Sequence, residues 1–201
     1  RSHPFVVYFR REEGAELEVL SYCVISDDRS HVTTTVHKFL SELLPLINGH
    51  LPQLEVVHYW SDGCGGQYKN CKNFKNLCCH RENFGIEARW NFFATLHGKS
   101  PCDGIGGTVK RLVRRASLQA TMANHILTPI DMYNWAATNI SGIQFIWVSS
   151  DEVEQHASSL ASRLADVKTV NGSRSHHKFA PVDAHRIKMY RISDEDRKSV
   201  V

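Results

Sequence analysis

Two aspartates carry the strongest chemical signal in this sequence. Asp62 follows the β-branched and aromatic run 54–60, so a strand would deliver its carboxylate into a turn containing Gly63, Gly65 and Gly66. Asp103 closes the loop 97–103 and opens a segment with helical spacing. A strand end and a helix start are rigid anchors, and from them the two carboxylates, 41 positions apart, could converge. Hard carboxylate oxygens are what Mg²⁺ takes, together with waters and substrate phosphates. Each residue also has an ordinary role: Asp-Gly is a turn signal, and an aspartate before a helix can cap it. His97 and Lys99 lie in the loop feeding Asp103, where an imidazole or ammonium could meet a phosphate or position an attacking water. Local hydrogen bonding explains them equally well.

Other chemistries fit less well. Gly98, Lys99 and Ser100 resemble the end of a P-loop, but the required first glycine falls on Phe93. Cys64, Cys71, Cys78, Cys79 and His80 contain no C-x₂-C pair, so buried thiols on a helix are favoured over a zinc site. Cys102 with His97 lacks any motif of a nucleophile and its base. Lys69, Lys72, Lys75, Lys110, Arg111, Arg114 and Arg115 are expected on two helices beside the aspartates, as a DNA-backbone track or as a solvated face.

Elements must hold these residues in place. Runs 4–10 and 17–26 read as a hairpin, and apolar residues from Val32 to Ile47 recur at helical spacing, with a kink expected at Pro45. The strand at 54–60 follows, then a helix over 67–80 and a strand over 87–95. From about Gly104, the stripe Ile105, Val109, Leu112 and Val113 predicts a basic-faced helix. Further helices are expected at 118–123, 129–138 and 151–164, a strand at 143–148, and a polar tail with one strand-like patch at 187–192.

The chain has 201 residues, 42% hydrophobic and 22% charged, enough for one domain with a small appendage and unlike disordered or collagenous sequences. No apolar run approaches the ~18 residues of a membrane span. The net charge of +3 is too mild by itself to imply a nucleic-acid partner. Six dispersed cysteines suggest reduced thiols and an intracellular setting. The chain starts at Arg1 and shows no signal-peptide pattern, so it is expected to be a piece of a longer polypeptide.

The order strand, strand, helix, strand ending in Asp62, helix, strand, then Asp103 opening a helix matches an RNase H-like scheme whose first strand lies upstream of Arg1. On these residues the stretch 59–115 resembles the catalytic half of a DDE/D-type transposase or integrase core, and the whole chain resembles transposon-derived animal proteins carrying one. The resemblance implies an α/β, RNase H-like mixed sheet flanked by helices. It divides the chain into a partial core at 1–117, a mostly helical extension at 118–166 and a polar tail at 167–201. It also implies two Mg²⁺ or Mn²⁺ ions, about 3.5–4 Å apart in such sites, with Asp62 bridging them and Asp103 completing one site. The first acidic ligand is expected upstream; Asp27 and Asp28 are the nearest acids, and helix capping is their natural role. DNA cleavage and strand transfer in the nucleus, with DNA and a second copy of the chain as partners, is the function implied. A catalytically silent DNA- or protein-binding module and a structure-selective nuclease are the alternatives.

Overall fold

The computed structural model describes residues 1–93, 100–120 and 125–191. It is a mixed α/β protein with two mixed sheets and, among the described residues, six α-helices. Two compact units share the chain, Arg1–Ser30 with Gly98–Glu154 and His31–His97 with Gln155–Val201. Each is built from two separate stretches, whereas the sequence reading divides the chain into consecutive segments.

The first unit contains the hairpin β1 (Ser2–Phe9) and β2 (Glu18–Ser26), paired antiparallel as expected. Pro4 lacks an N–H and is tolerated because β1 is an edge strand. Strand β5 (Gln144–Val148) pairs parallel on the far side of β2. Strand β2 is buried on both faces over this stretch, which calls for an apolar run rather than alternation: Tyr22, Cys23, Val24 and Ile25 are all fully buried. Helix α4 (Pro101–Gln119) and helix α5 (Pro129–Asn139) cover one face, where Val109, Val113 and Ala136 pack with Cys23 and Ile25. Gly106 allows α4 to approach β1 closely: a Cβ there would lie 3.3 Å from Pro4 Cγ.

In the second unit, α1 (Thr33–His50) contains Pro45 and buries Val36, Phe39, Leu40, Leu43, Leu44 and Ile47, the stripe read from the sequence. Strands β3 (Val56–Ser61) and β4 (Glu87–Phe92) pair in parallel, and β6 (Lys178–Pro181) and β7 (Ile187–Tyr190) extend the sheet antiparallel from β4. The polar tail therefore supplies two strands, not one. The expected helix at 67–80 is instead α2 (Cys71–Cys78) followed by α3 (His80–Phe84). Asn70 caps α2 by accepting from Asn73 N at 2.9 Å, which excludes Lys69 from the helix. Phe74, Phe92 and Phe179 form the aromatic centre, with Phe74 and Phe179 stacked at 4.3 Å.

Helix α6 (Ser150–Leu164) agrees with its sequence reading, and the expected helix at 118–123 is partly the end of α4, the remainder falling outside the described residues. No described helix is long and apolar enough to cross a membrane.

Candidate functional site

Asp62 leaves the end of β3 exposed to solvent. Its Oδ1 accepts from Cys64 N at 3.0 Å, an Asx turn that redirects the chain. The strand end is fixed from beneath, because the buried Trp90 donates Nε1–H to Ser61 Oγ at 2.9 Å. Beyond it, Cys64 O accepts from Tyr68 N and Lys69 N at 2.8 and 3.1 Å, which compacts the glycine turn. Gly66 fits there because an added Cβ would come within 3.2 Å of His31 O. The turn signal and the strand-end position expected of Asp62 are both present.

Asp103 occupies the third position of α4, which starts at Pro101, earlier than expected. Ser100 is the cap, and the pair form a capping box: Ser100 N donates to Asp103 Oδ2 at 2.9 Å and Asp103 N to Ser100 Oγ at 3.4 Å. The carboxylate sits in the first turn, at the positive end of the helix dipole. Asp62 belongs to the second unit and Asp103 to the first.

Asp27 and Asp28 do not cap α1, whose start at Val32 has no side-chain cap. Asp27 Oδ1 instead accepts from Ser150 N at 2.6 Å at the start of α6, and Asp28 accepts from Ser30 N at 3.2 Å and Ser30 Oγ at 2.6 Å. Capping is thus Asp27's role, but for a helix 123 residues away in sequence. His97 and Lys99 lie outside the described residues.

The basic residues differ in their surroundings. Lys110, Arg111, Arg114 and Arg115 are exposed along α4 and, with Leu118 and Gln119, line an open groove of about 460 Å³. Lys72 is exposed on α2. Lys75 donates to Ala184 O at 2.7 Å. Lys69, ahead of α2, donates to Arg174 O at 3.1 Å and lies over the Phe92 ring, so burial lowers its pKa.

A buried imidazole network had no part in the sequence reading. His37 Nδ1 and His156 Nε2 share a hydrogen bond of 2.8 Å, Asn83 Nδ2 approaches His37 Nε2 at 3.3 Å, and Arg163 donates to Asn83 Oδ1 at 3.0 Å. Burial, followed by the nearby His156 and Arg163, pushes the His37 pKa down to about 3. His80 bonds Tyr59 Oη and Ile86 O and is also lowered by burial. A signal for this pair was available: His37 is one turn from Thr33 on the buried arc of α1, and His156 lies between Val153 and Leu160 on the apolar stripe of α6.

Among the described residues no group of three or more His, Cys, Asp or Glu side chains could hold a metal. Asp62 and Asp103 fit a divalent ion in kind, as hard-oxygen donors of the sort that bind Mg²⁺ in ones and twos beside substrate phosphates. Residues 2–193 match the family model of a domain of unknown function (DUF8701). No curated protein and no solved structure matches the chain.

Proposed function

The chain belongs to this family of unknown function, and we propose that it is the catalytic part of a DNA phosphodiester-cleaving and strand-transferring protein of the DDE/D transposase kind, with an RNase H-like scaffold. The observation that carries the reading is the sequence of elements around the acids: a strand ending at Asp62, parallel to the next strand, then a helix with Asp103 in its first turn and four cations on its outer face. The antiparallel β1–β2 pair also agrees with that scheme, although β1–β2 and β3–β4 lie in separate sheets. Strands β5, β6 and β7 are additions to it.

In this reading Asp62 and Asp103 would hold Mg²⁺ or Mn²⁺ through their carboxylate oxygens. Divalent ions supply charge stabilisation for the attacking and leaving oxygens of an in-line displacement. The protein's own part is positional. The Asx turn fixes the Asp62 carboxylate and the capping box fixes that of Asp103, so neither has to be ordered when substrate binds. Lys110, Arg111, Arg114 and Arg115 neutralise DNA phosphates. Water attacks phosphorus and the P–O3′ bond breaks, leaving a 3′-hydroxyl and a 5′-phosphate; that hydroxyl then attacks a second phosphodiester and displaces its 3′-oxygen.

The test is Mg²⁺- or Mn²⁺-dependent cleavage of labelled duplex DNA by the intact polypeptide. Asp62→Asn and Asp103→Asn should each lower the rate roughly a hundredfold or more, as several kcal/mol of lost stabilisation requires. Equal cleavage by all three proteins would refute the assignment. One observation favours a second reading, a silent DNA-binding module: both aspartates already have structural roles. Salt-sensitive binding without cleavage by the wild type would establish that reading.

A further inference from the structure

The face of the second unit's sheet that carries Trp60 bears both aromatic and basic side chains. Register places Trp60, Asn91, Lys178 and Tyr190 opposite one another in a single row across β3, β4, β6 and β7, in which Trp60 is exposed, Lys178 and Tyr190 are half-buried, and Asn91 is buried and donates to Tyr59 O. Directly opposed side chains share a face, so this row lies opposite the face of Trp90 and Phe179, which is buried. Three inter-strand steps of about 4.8 Å make the row roughly 14 Å long. Trp60 is 58% exposed and pairs with Phe93, 40% exposed, at 5.6 Å between ring centres. At the other end, Lys178 and Lys188 lie over the Tyr190 ring at 5.4 and 5.1 Å. Arg89, opposite His58, is exposed beside the row. A cleft of about 470 Å³ opens there, lined by Arg89, Lys178 and Tyr190 among others. Its two acids, Glu87 and Asp183, are paired with Arg81 and Arg186 at 3.0 and 2.6 Å. Arg89 and Lys188 are exposed on this face.

We propose that this sheet face binds single-stranded DNA, with bases stacked on Trp60 and Tyr190 and phosphates met by the exposed Arg89 and Lys188. Aromatic rings spaced among cations suit unstacked bases, because every base offers a π-face and the backbone follows the charge. A duplex hides those faces. The platform stands on the geometry of this sheet alone; the choice of DNA over RNA rests on the function proposed above, since Trp60, near the end of β3, precedes Asp62 by two residues. A strand opened for cleavage at Asp62 would present bases to this face.

The test is fluorescence anisotropy without divalent metal, using the whole chain and labelled oligothymidylate of about 12 nucleotides, within the range of known single-strand sites. Duplex and oligouridylate of equal length are the comparison probes. The wild type should prefer oligothymidylate to both. Trp60→Ala should weaken its binding roughly tenfold, and Lys188→Gln should make the salt dependence shallower by about 0.7 in the log–log slope. Circular dichroism and Tm of each variant show that the fold is kept, and Tyr190→Ala gives an independent second site. Unchanged affinity in both aromatic variants would overturn the proposal, as would tighter binding of oligouridylate. Self-association of the wild type, abolished by Trp60→Ala in sedimentation, would assign the face to a second copy instead. Because no metal is added, loss of this binding is separable from failure to cleave.

Discussion

The basic face of α4 and the open face of the β3–β4–β6–β7 sheet are both cationic, yet they differ in what stands between the charges. Along α4 the exposed cations Lys110, Arg111, Arg114 and Arg115 are accompanied by Leu118 and no aromatic ring. On the sheet, Trp60 pairs with Phe93 at one end, and Lys178 and Lys188 lie over Tyr190 at the other. Charge alone recognises phosphates and so suits any duplex, whereas rings among charges suit bases that have been unstacked. Net charge, close to neutral for the whole chain, reveals neither surface. The arrangement does.

The comparison can be broken most severely at the acids, where the cleavage assay above should show the largest loss. Asparagine is the informative substitution, because it can still accept the Asx-turn bond at position 62 and much of the capping bond at 103 while removing the charge. A fall in cleavage with an unchanged Tm therefore separates chemistry from folding. Next in size is the α4 face. Arg111→Gln with Arg115→Gln should make the salt dependence of duplex binding shallower by about 2 in the log–log slope. Oligothymidylate binding should change much less. If both probes respond equally to α4 and to Trp60, the two surfaces are one site and the distinction fails.

Smaller effects sharpen the contrast within the fold. The His37 pKa is pushed down to about 3 by burial, so the unfolded chain takes up a proton at pH values where the folded unit does not. Stability from this group is present above the ordinary histidine pKa of about 6.5 and is lost as pH falls toward 3, at up to about 1.4 kcal/mol per pH unit. Denaturant titrations between pH 7 and pH 4 should show that slope, and His37→Leu should flatten it. The smallest expected change is Ser100→Ala, which removes the α4 cap and should cost about 1 kcal/mol of unfolding free energy. Thermal melts at fixed pH measure it.

Much of the fold was legible because periodicity carried it. Cys23 and Ile25 belong to the apolar run 22–25, as a strand buried on both faces requires, and Val109 and Val113 mark the inner side of α4 four residues apart. What escaped the sequence depends on distant partners. Lys178–Pro181 is a four-residue strand containing a proline, and only its pairing with Trp90 and Asn91 makes it one. Asp27 caps a helix that begins at Ser150, which local capping rules cannot anticipate. The start of α2 moved to Cys71 because Asn70 and the carbonyl of Cys64 organise the preceding turn. At the candidate site, sequence identified the elements holding Asp62 and Asp103, but not that each carboxylate is already engaged by its own backbone. The imidazole pair joins residues 119 positions apart, so local patterning does not reveal it.

The central claim is that Asp62 and Asp103 serve one divalent ion, and a double-mutant cycle in Mn²⁺ affinity tests it most directly. Electron paramagnetic resonance titrations would compare wild type, Asp62→Asn, Asp103→Asn and the double variant of the intact polypeptide. Shared coordination predicts that either substitution weakens Mn²⁺ binding and that the second adds far less than the first, since residues holding one ligand are coupled. Fully additive losses, or affinity untouched by either change, would contradict the account.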